Sequence, residues 1–137
     1  TDSQVPTATP AHSFKVDSKD EWTASAFKVQ AGSCYTVAAK IDDKWLDLDV
    51  PADLSGWKNK NDSRLGLFAP LRRVAQKDIG FYQFATCVDK KFDHCFPIGE
   101  TSTVCPKVSG ELFFFVNDVA GFESNNVGTA SVTIQAK

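Results

Sequence analysis

Apolar and polar positions along this chain alternate in short runs, each closed by a turn. "TASVTIQ" (129–135) is the cleanest run: Ala130, Val132 and Ile134 fall on one face and Ser131, Thr133 and Gln135 on the other, predicting a half-buried strand. "ELFFFV" (111–116) is apolar throughout, as for a strand covered on both faces. "CYTVAAK" (34–40) and "IGFYQFATCV" (79–88) are β-branched, aromatic and strand-prone. "ASAFKVQ" (24–30) places Ala24, Ala26 and the aliphatic part of Lys28 on one side, with Phe27 and Val29 leading into the turn "QAGS". "RLGLFAPLRRV" (64–74) reads as two apolar strand pieces around Pro70. No 3.6-residue period lasts a dozen residues, and "DSKDEW" (17–22) has room for one helical turn. "DLSGWKNKNDS" (53–63) is the longest polar insertion and reads as a surface loop. Many short strands with Gly, Pro, Asn and Asp turns predict an all-β chain, a two-sheet antiparallel β-sandwich of the jelly-roll kind.

Composition narrows the class. At 137 residues the expectation is one sandwich domain over 12–137, preceded by a Thr/Pro/Ser/Ala tether over 1–11. A net charge of -2 supplies no basic face for nucleic acid, and "RR" (72–73) and "KK" (90–91) are too small for a polyanion site. No run of eighteen apolar residues spans a bilayer. The chain has no Met and begins at Thr1, so an initiator and a signal segment are expected to have been removed. Cys34, Cys87, Cys95 and Cys105 lack Cys-x-x-Cys spacing, which disfavours zinc or a redox dithiol. Two disulfides in an oxidising compartment are expected; four buried thiols in a cytosolic protein are the alternative.

The loop after the apolar run carries the chemistry. Asn117, Asp118, Glu123, Ser124, Asn125 and Asn126 crowd 117–126, with Gly121 to curl the chain and no basic residue among them. Hard cations take six to eight oxygens from carboxylates, amide carbonyls and main-chain carbonyls. A site of one carboxylate and two amides would be weakly charged and suit extracellular calcium, bound at about 10⁻⁴ to 10⁻³ M. The same residues also build ordinary β-turns, so from composition both readings stand.

"GELFFFVNDVAGFESNNVGTASVTI" (110–134) resembles the closing segment of the LecA-type (PA-I-like) calcium-dependent galactose-binding lectins, whose fold is galactose-binding-domain-like. The spacing from Asp118 to Asn125-Asn126 matches that family without a gap. "FKVQAGSCYTVAAK", "LGLFAPLRRV" and "PKVSGEL" follow its order more weakly. The resemblance implies Ca²⁺ held by the side chains of Asp118, Asn125 and Asn126 and by the main-chain carbonyls of Phe122 and Trp45. Two sugar hydroxyls would complete the shell. The family's His and Gln sugar contacts fall where this chain reads "LDVPADLSGWKNKNDS", which contains neither. Trp45, Trp57 and Phe122 are then the candidate aromatic contacts to a sugar, with core packing the alternative for the two Trp. If strands 34–44 and 111–117 both run toward calcium ligands, their starts meet at the opposite pole. That pairs Cys34 with Cys105 and leaves Cys87 with Cys95.

Other chemistry is thin. His12 and His94 have no nucleophile beside them, and no carboxylate pair is marked, so no enzyme is expected. The acidic stretch "IDDKWLDLDVPAD" (41–53) lacks an EF-hand pattern; it reads as a solvated rim, or as the source of one more carboxylate for the calcium shell. "NDS" (61–63) fits an N-glycosylation acceptor. The expected function is a calcium-dependent carbohydrate-binding domain of a secreted, periplasmic or surface-held protein, its partner a galactose-like sugar. The alternative is a lipid-anchored periplasmic protein of inhibitor or immunity type, in which calcium only braces the loops.

Overall fold

The computed structural model describes residues 11–47, 50–59, 61–76, 78–119 and 123–137, without the side chain of Asn125. The expected tether therefore lies, save for Ala11, outside the described residues.

Alternating sequence becomes antiparallel sheet. The first sheet is built from β1 (His12–Asp17), β3 (Tyr35–Ile41), β9 (Thr101–Val104) and β12 (Thr129–Ala136), in the order β1-β12-β3-β9. Ala130, Val132 and Ile134 are fully buried on β12, as their spacing predicts. The second sheet has the order β2-β10-β7-β8, from β2 (Thr23–Val29), β7 (Phe84–Val88), β8 (Cys95–Pro97) and β10 (Gly110–Val116). β10, the apolar run, is flanked on both sides by β2 and β7. The inner faces meet in one core, where Val16, Val37, Val132 and Ile134 share a cluster with Phe84, Leu112, Phe114 and Val116. Phe14 of the first sheet lies 5.1 Å from Phe114 of the second. This is the predicted all-β antiparallel sandwich.

A third, small sheet sits at one end, in the order β11-β4-β5-β6: β4 (Leu46–Asp47), β5 (Val50–Asp53), β6 (Gly56–Trp57) and β11 (Asn126–Val127). It corrects the expected surface loop at 53–63. Ala52 pairs with Trp57 in a hairpin, and Leu54 and Trp57 are buried beneath it. Two large apolar side chains in a polar stretch are enough to pin it to the core.

The segment 64–74 is the other correction. Instead of two strand pieces it forms the short helix α1 (Arg64–Phe68) and a 3-10 turn over Ala69–Leu71. The Asp62 carboxylate accepts from the Arg64 backbone N–H at 2.9 Å and starts the turn, while Pro70 sits where its missing N–H costs nothing. Residues 79–83 also leave the predicted strand, forming a turn in which Tyr82 adopts φ +62°. At 17–22 the chain makes a hydrogen-bonded turn, Asp20 N–H donating to the Asp17 carbonyl. β1, which the sequence reading did not mark, repeats the alternation in miniature: Val16 is buried while Ser13 and Lys15 are exposed.

Both disulfides pair as expected, Cys34 with Cys105 and Cys87 with Cys95. Cys87 and Cys95 are direct register partners on β7 and β8. Cys95 and Cys105 line one cleft.

Candidate functional site

β10 ends by delivering Asn117 and Asp118 into a polar knot. Asn117 is fully buried; its Oδ1 accepts from Val74 N–H at 2.8 Å, and its Nδ2 faces the carbonyls of Val74 (2.9 Å) and Gly80 (3.0 Å). Those bonds tie loop 74–80 to the strand end, so the next residue is held on a rigid base. Asp118, 3% exposed, accepts from Arg73 N–H through its own carbonyl at 2.9 Å. Its Oδ1 accepts from Val119 N–H at 2.7 Å, while Oδ2 is buried with no partner.

Across the loop, Asn126 on β11 is fully buried and pairs in register with Asp47 on β4. Its Nδ2 donates to the Ser18 carbonyl at 2.9 Å, which turns the amide and leaves Oδ1 buried without a partner. Buried acceptors are almost always paired. Two such oxygens on the candidate residues are therefore an unmet demand for a donor or a cation.

Electrostatics raise that demand. Burial, then the nearby Asp47 charge, push the Asp118 carboxyl up to about 7 from 3.8, against the pull of Val119 N–H and the Asn126 amide. Asp47, also buried, is raised by desolvation despite a 3.0 Å hydrogen bond from Trp57 Nε1. The Tyr82 hydroxyl donates to the Leu46 carbonyl at 2.7 Å, and burial followed by the charges of Asp47 and Asp118 raise it well above its ordinary value. Negative charge is thus concentrated where water is scarce.

The missing positive charge comes from outside the loop. Arg73, its side chain 2% exposed, lies against the rings of Trp22 (4.6 Å) and Phe115 (4.8 Å) and reaches Glu123 at 3.9 Å. Burial pulls its guanidinium down, and Glu123, Glu21 and Asp118 pull it back up. It answers Glu123, while its Nη2 and the Asp118 Oδ2 both stay unpartnered.

The remaining expected residues divide. Phe122 and the Asn125 side chain lie outside the described residues. The Trp45 carbonyl, the other expected main-chain ligand, accepts from Ala52 N–H at 3.0 Å, leaving one lone pair. The expected aromatic platform needs correction. Trp45 and Trp57 are both 2% exposed, packed edge-on against Phe84 and Phe81, because each ring closes the core under the third sheet. Asp47, Arg73, Ser18 and Tyr82 are site residues the sequence did not single out. Only the acidic stretch around Asp47 had signalled an extra carboxylate.

The donor set is all oxygen. Among the described residues no three His, Cys, Asp or Glu side chains gather as a metal cluster. One carboxylate, an amide oxygen and main-chain carbonyls suit a hard cation of the calcium type rather than zinc. A groove of about 710 Å³ along Ala38, Lys40, Thr101, Ser131 and Thr133 contains none of these oxygens, so unmet valence and not volume locates the site.

The chain is similar to a solved structure described as "EclA N-terminal domain; PllA-like lectin", with a TM-score of 0.64, 20% identity, and 91% of this chain and 95% of that chain covered. At that identity the likeness is one of fold. No protein-family model matches the chain, and no curated protein matches it.

Proposed function

We propose that this is a lectin-like carbohydrate-binding domain, not an enzyme, whose sugar is captured through calcium at the Asp118/Asn126 corner. The observation that carries the proposal is the pair of buried, unpartnered oxygens, Asp118 Oδ2 and Asn126 Oδ1, on the residues that the resemblance to the LecA-type lectins implies as cation ligands. The fold shared with a PllA-like lectin supports it. Asn125 and the carbonyls of Phe122 and Trp45 would complete the protein's share. Calcium bound there would offer open positions to two vicinal hydroxyls, and the fixed oxygens around it would select diol geometry. The two disulfides fit the oxidising, secreted or periplasmic setting in which calcium is abundant. Among the described residues no helix is long and apolar enough to cross a membrane.

The test is a glycan array on metal-stripped protein, with added Ca²⁺ and with chelator. Galactose-type glycans should bind only with Ca²⁺, and the melting temperature should rise with the ion by mass action. Glycan binding that survives chelation would remove calcium from the mechanism.

A second function has one observation behind it. Leu67 and Leu71, one helical turn apart, are 64% and 58% exposed. Exposed leucines suit a protein partner better than a sugar, as in an inhibitor or immunity-type protein. A blank glycan array with an intact calcium-dependent melting shift would favour it.

A further inference from the structure

We propose that Asp47 is the second carboxylate of the cation centre, aimed by the Trp57 indole, so that the ion meets two buried negative charges rather than one. The proposal rests on the calcium site above and adds a residue that the loop spacing does not contain.

Placement comes first. Asp47 is the register partner of Asn126, whose Oδ1 lies buried without a partner. It is 7% exposed, unlike its described neighbours in the acidic stretch: Asp42 and Asp43 are exposed, and Asp53 is half-buried and caps Ser55 N–H. Asp42 is also committed elsewhere, to Lys15 (3.0 Å), Thr129 (2.8 Å) and Ser131 (2.6 Å). The Trp57 Nε1 bond fixes one Asp47 oxygen at 3.0 Å. The close approach of the two segments is enforced at Gly128, where a Cβ would stand 1.9 Å from the Lys44 carbonyl oxygen.

Charge balance comes second. A divalent ion held by Asp118 and neutral oxygens alone leaves one positive charge uncompensated in a buried setting, which is costly at low dielectric. A second carboxylate makes the loaded centre neutral. Without the ion, the corner holds two buried carboxylates, Asp47 and Asp118, with one Asp118 oxygen unpartnered. The indole bond then has a clear purpose, since a hydrogen bond to a ligand's outer oxygen fixes its orientation toward the ion.

The experiment is calorimetric titration of Ca²⁺ into metal-stripped protein, comparing wild type with Asp47→Asn, Asp47→Glu, Trp57→Phe, Asp118→Asn and the hairpin control Asp53→Asn. Circular dichroism in chelator checks that each variant is folded. Asp47→Asn should weaken Ca²⁺ by about 10- to 100-fold. Asp47→Glu should recover part of that loss, Trp57→Phe should weaken binding less, and Asp53→Asn should match wild type. Should Asp47→Asn misfold, the Asp47→Glu and Trp57→Phe affinities decide. Wild-type affinity in Asp47→Asn, or in both of those variants, alongside loss in Asp118→Asn, would overturn the role of Asp47 and leave the calcium site standing. No heat and no melting shift in wild type would overturn the calcium site itself.

Discussion

Asp118 shows how a single buried carboxylate can be a liability once it is charged. Its folded-state value of about 7 lies above the unfolded 3.8, so its contribution to stability is fully present below about pH 4 and is lost as pH rises through 7. The difference is worth roughly 4 kcal/mol. In chelator, the urea midpoint of wild type should therefore fall between pH 5 and pH 8. Asp118→Asn keeps the shape without the charge; its profile should be flatter, and at pH 8 it should outlast metal-free wild type. With millimolar Ca²⁺ the order should reverse, because the ion takes only the ionised carboxylate. Asp42 and Asp62, both held at about 2 by hydrogen bonds, lose their contribution only in more acidic solution and do not mask the effect. An unchanged wild-type midpoint across that range would refute the burial argument.

Elements two residues long position the chemistry. β4 and β11 are too short to be stable alone, and no hydrophobic period announces them; β11 is held by its pairing with β4, and β4 is paired with β5 as well. Their meeting point is Gly128, held at φ +126° with no room for a side chain. Gly128→Ala should destabilise the protein by about 3 kcal/mol or more and weaken Ca²⁺ together with it, read by urea unfolding and by calorimetry. A variant that melts like wild type would mean that the corner can relax. The longer strands were legible beforehand, since β10 and β12 carry their burial pattern in their composition. The helix α1 was not: "RLGLF" has the apolar content of a strand, and the Asp62 carboxylate and Pro70 decided otherwise.

Over the whole molecule, the two disulfides restrain different regions. Cys34–Cys105 closes the pole where β3 begins, while Cys87–Cys95 joins β7 to β8 opposite Phe113, midway along β10. Cys34 and Cys105 span 71 residues and Cys87 and Cys95 only 8, so in the chain-entropy picture the first bridge stabilises by about 4 kcal/mol and the second by about 2.5 kcal/mol. Replacing the first pair by Ser should lower the urea midpoint more than replacing the second, with Ca²⁺ affinity retained in both. The reverse ranking would show that packing around the fully buried Cys87 outweighs loop closure.

By itself, the sequence determined the sandwich class, the inward faces of the main strands and the crowding of oxygen-bearing side chains at 117–126, because these follow from period-two burial and from residues carried within one short segment. The disulfide partners followed once the strand directions implied by the lectin resemblance were added. Tertiary structure alone decided that Trp45 and Trp57 are core rather than surface, that Arg73 answers Glu123, and that Asp47 stands beside Asn126. Those outcomes depend on contacts between segments up to about eighty residues apart, which no local pattern encodes because the geometry exists only after both sheets have closed on a common core.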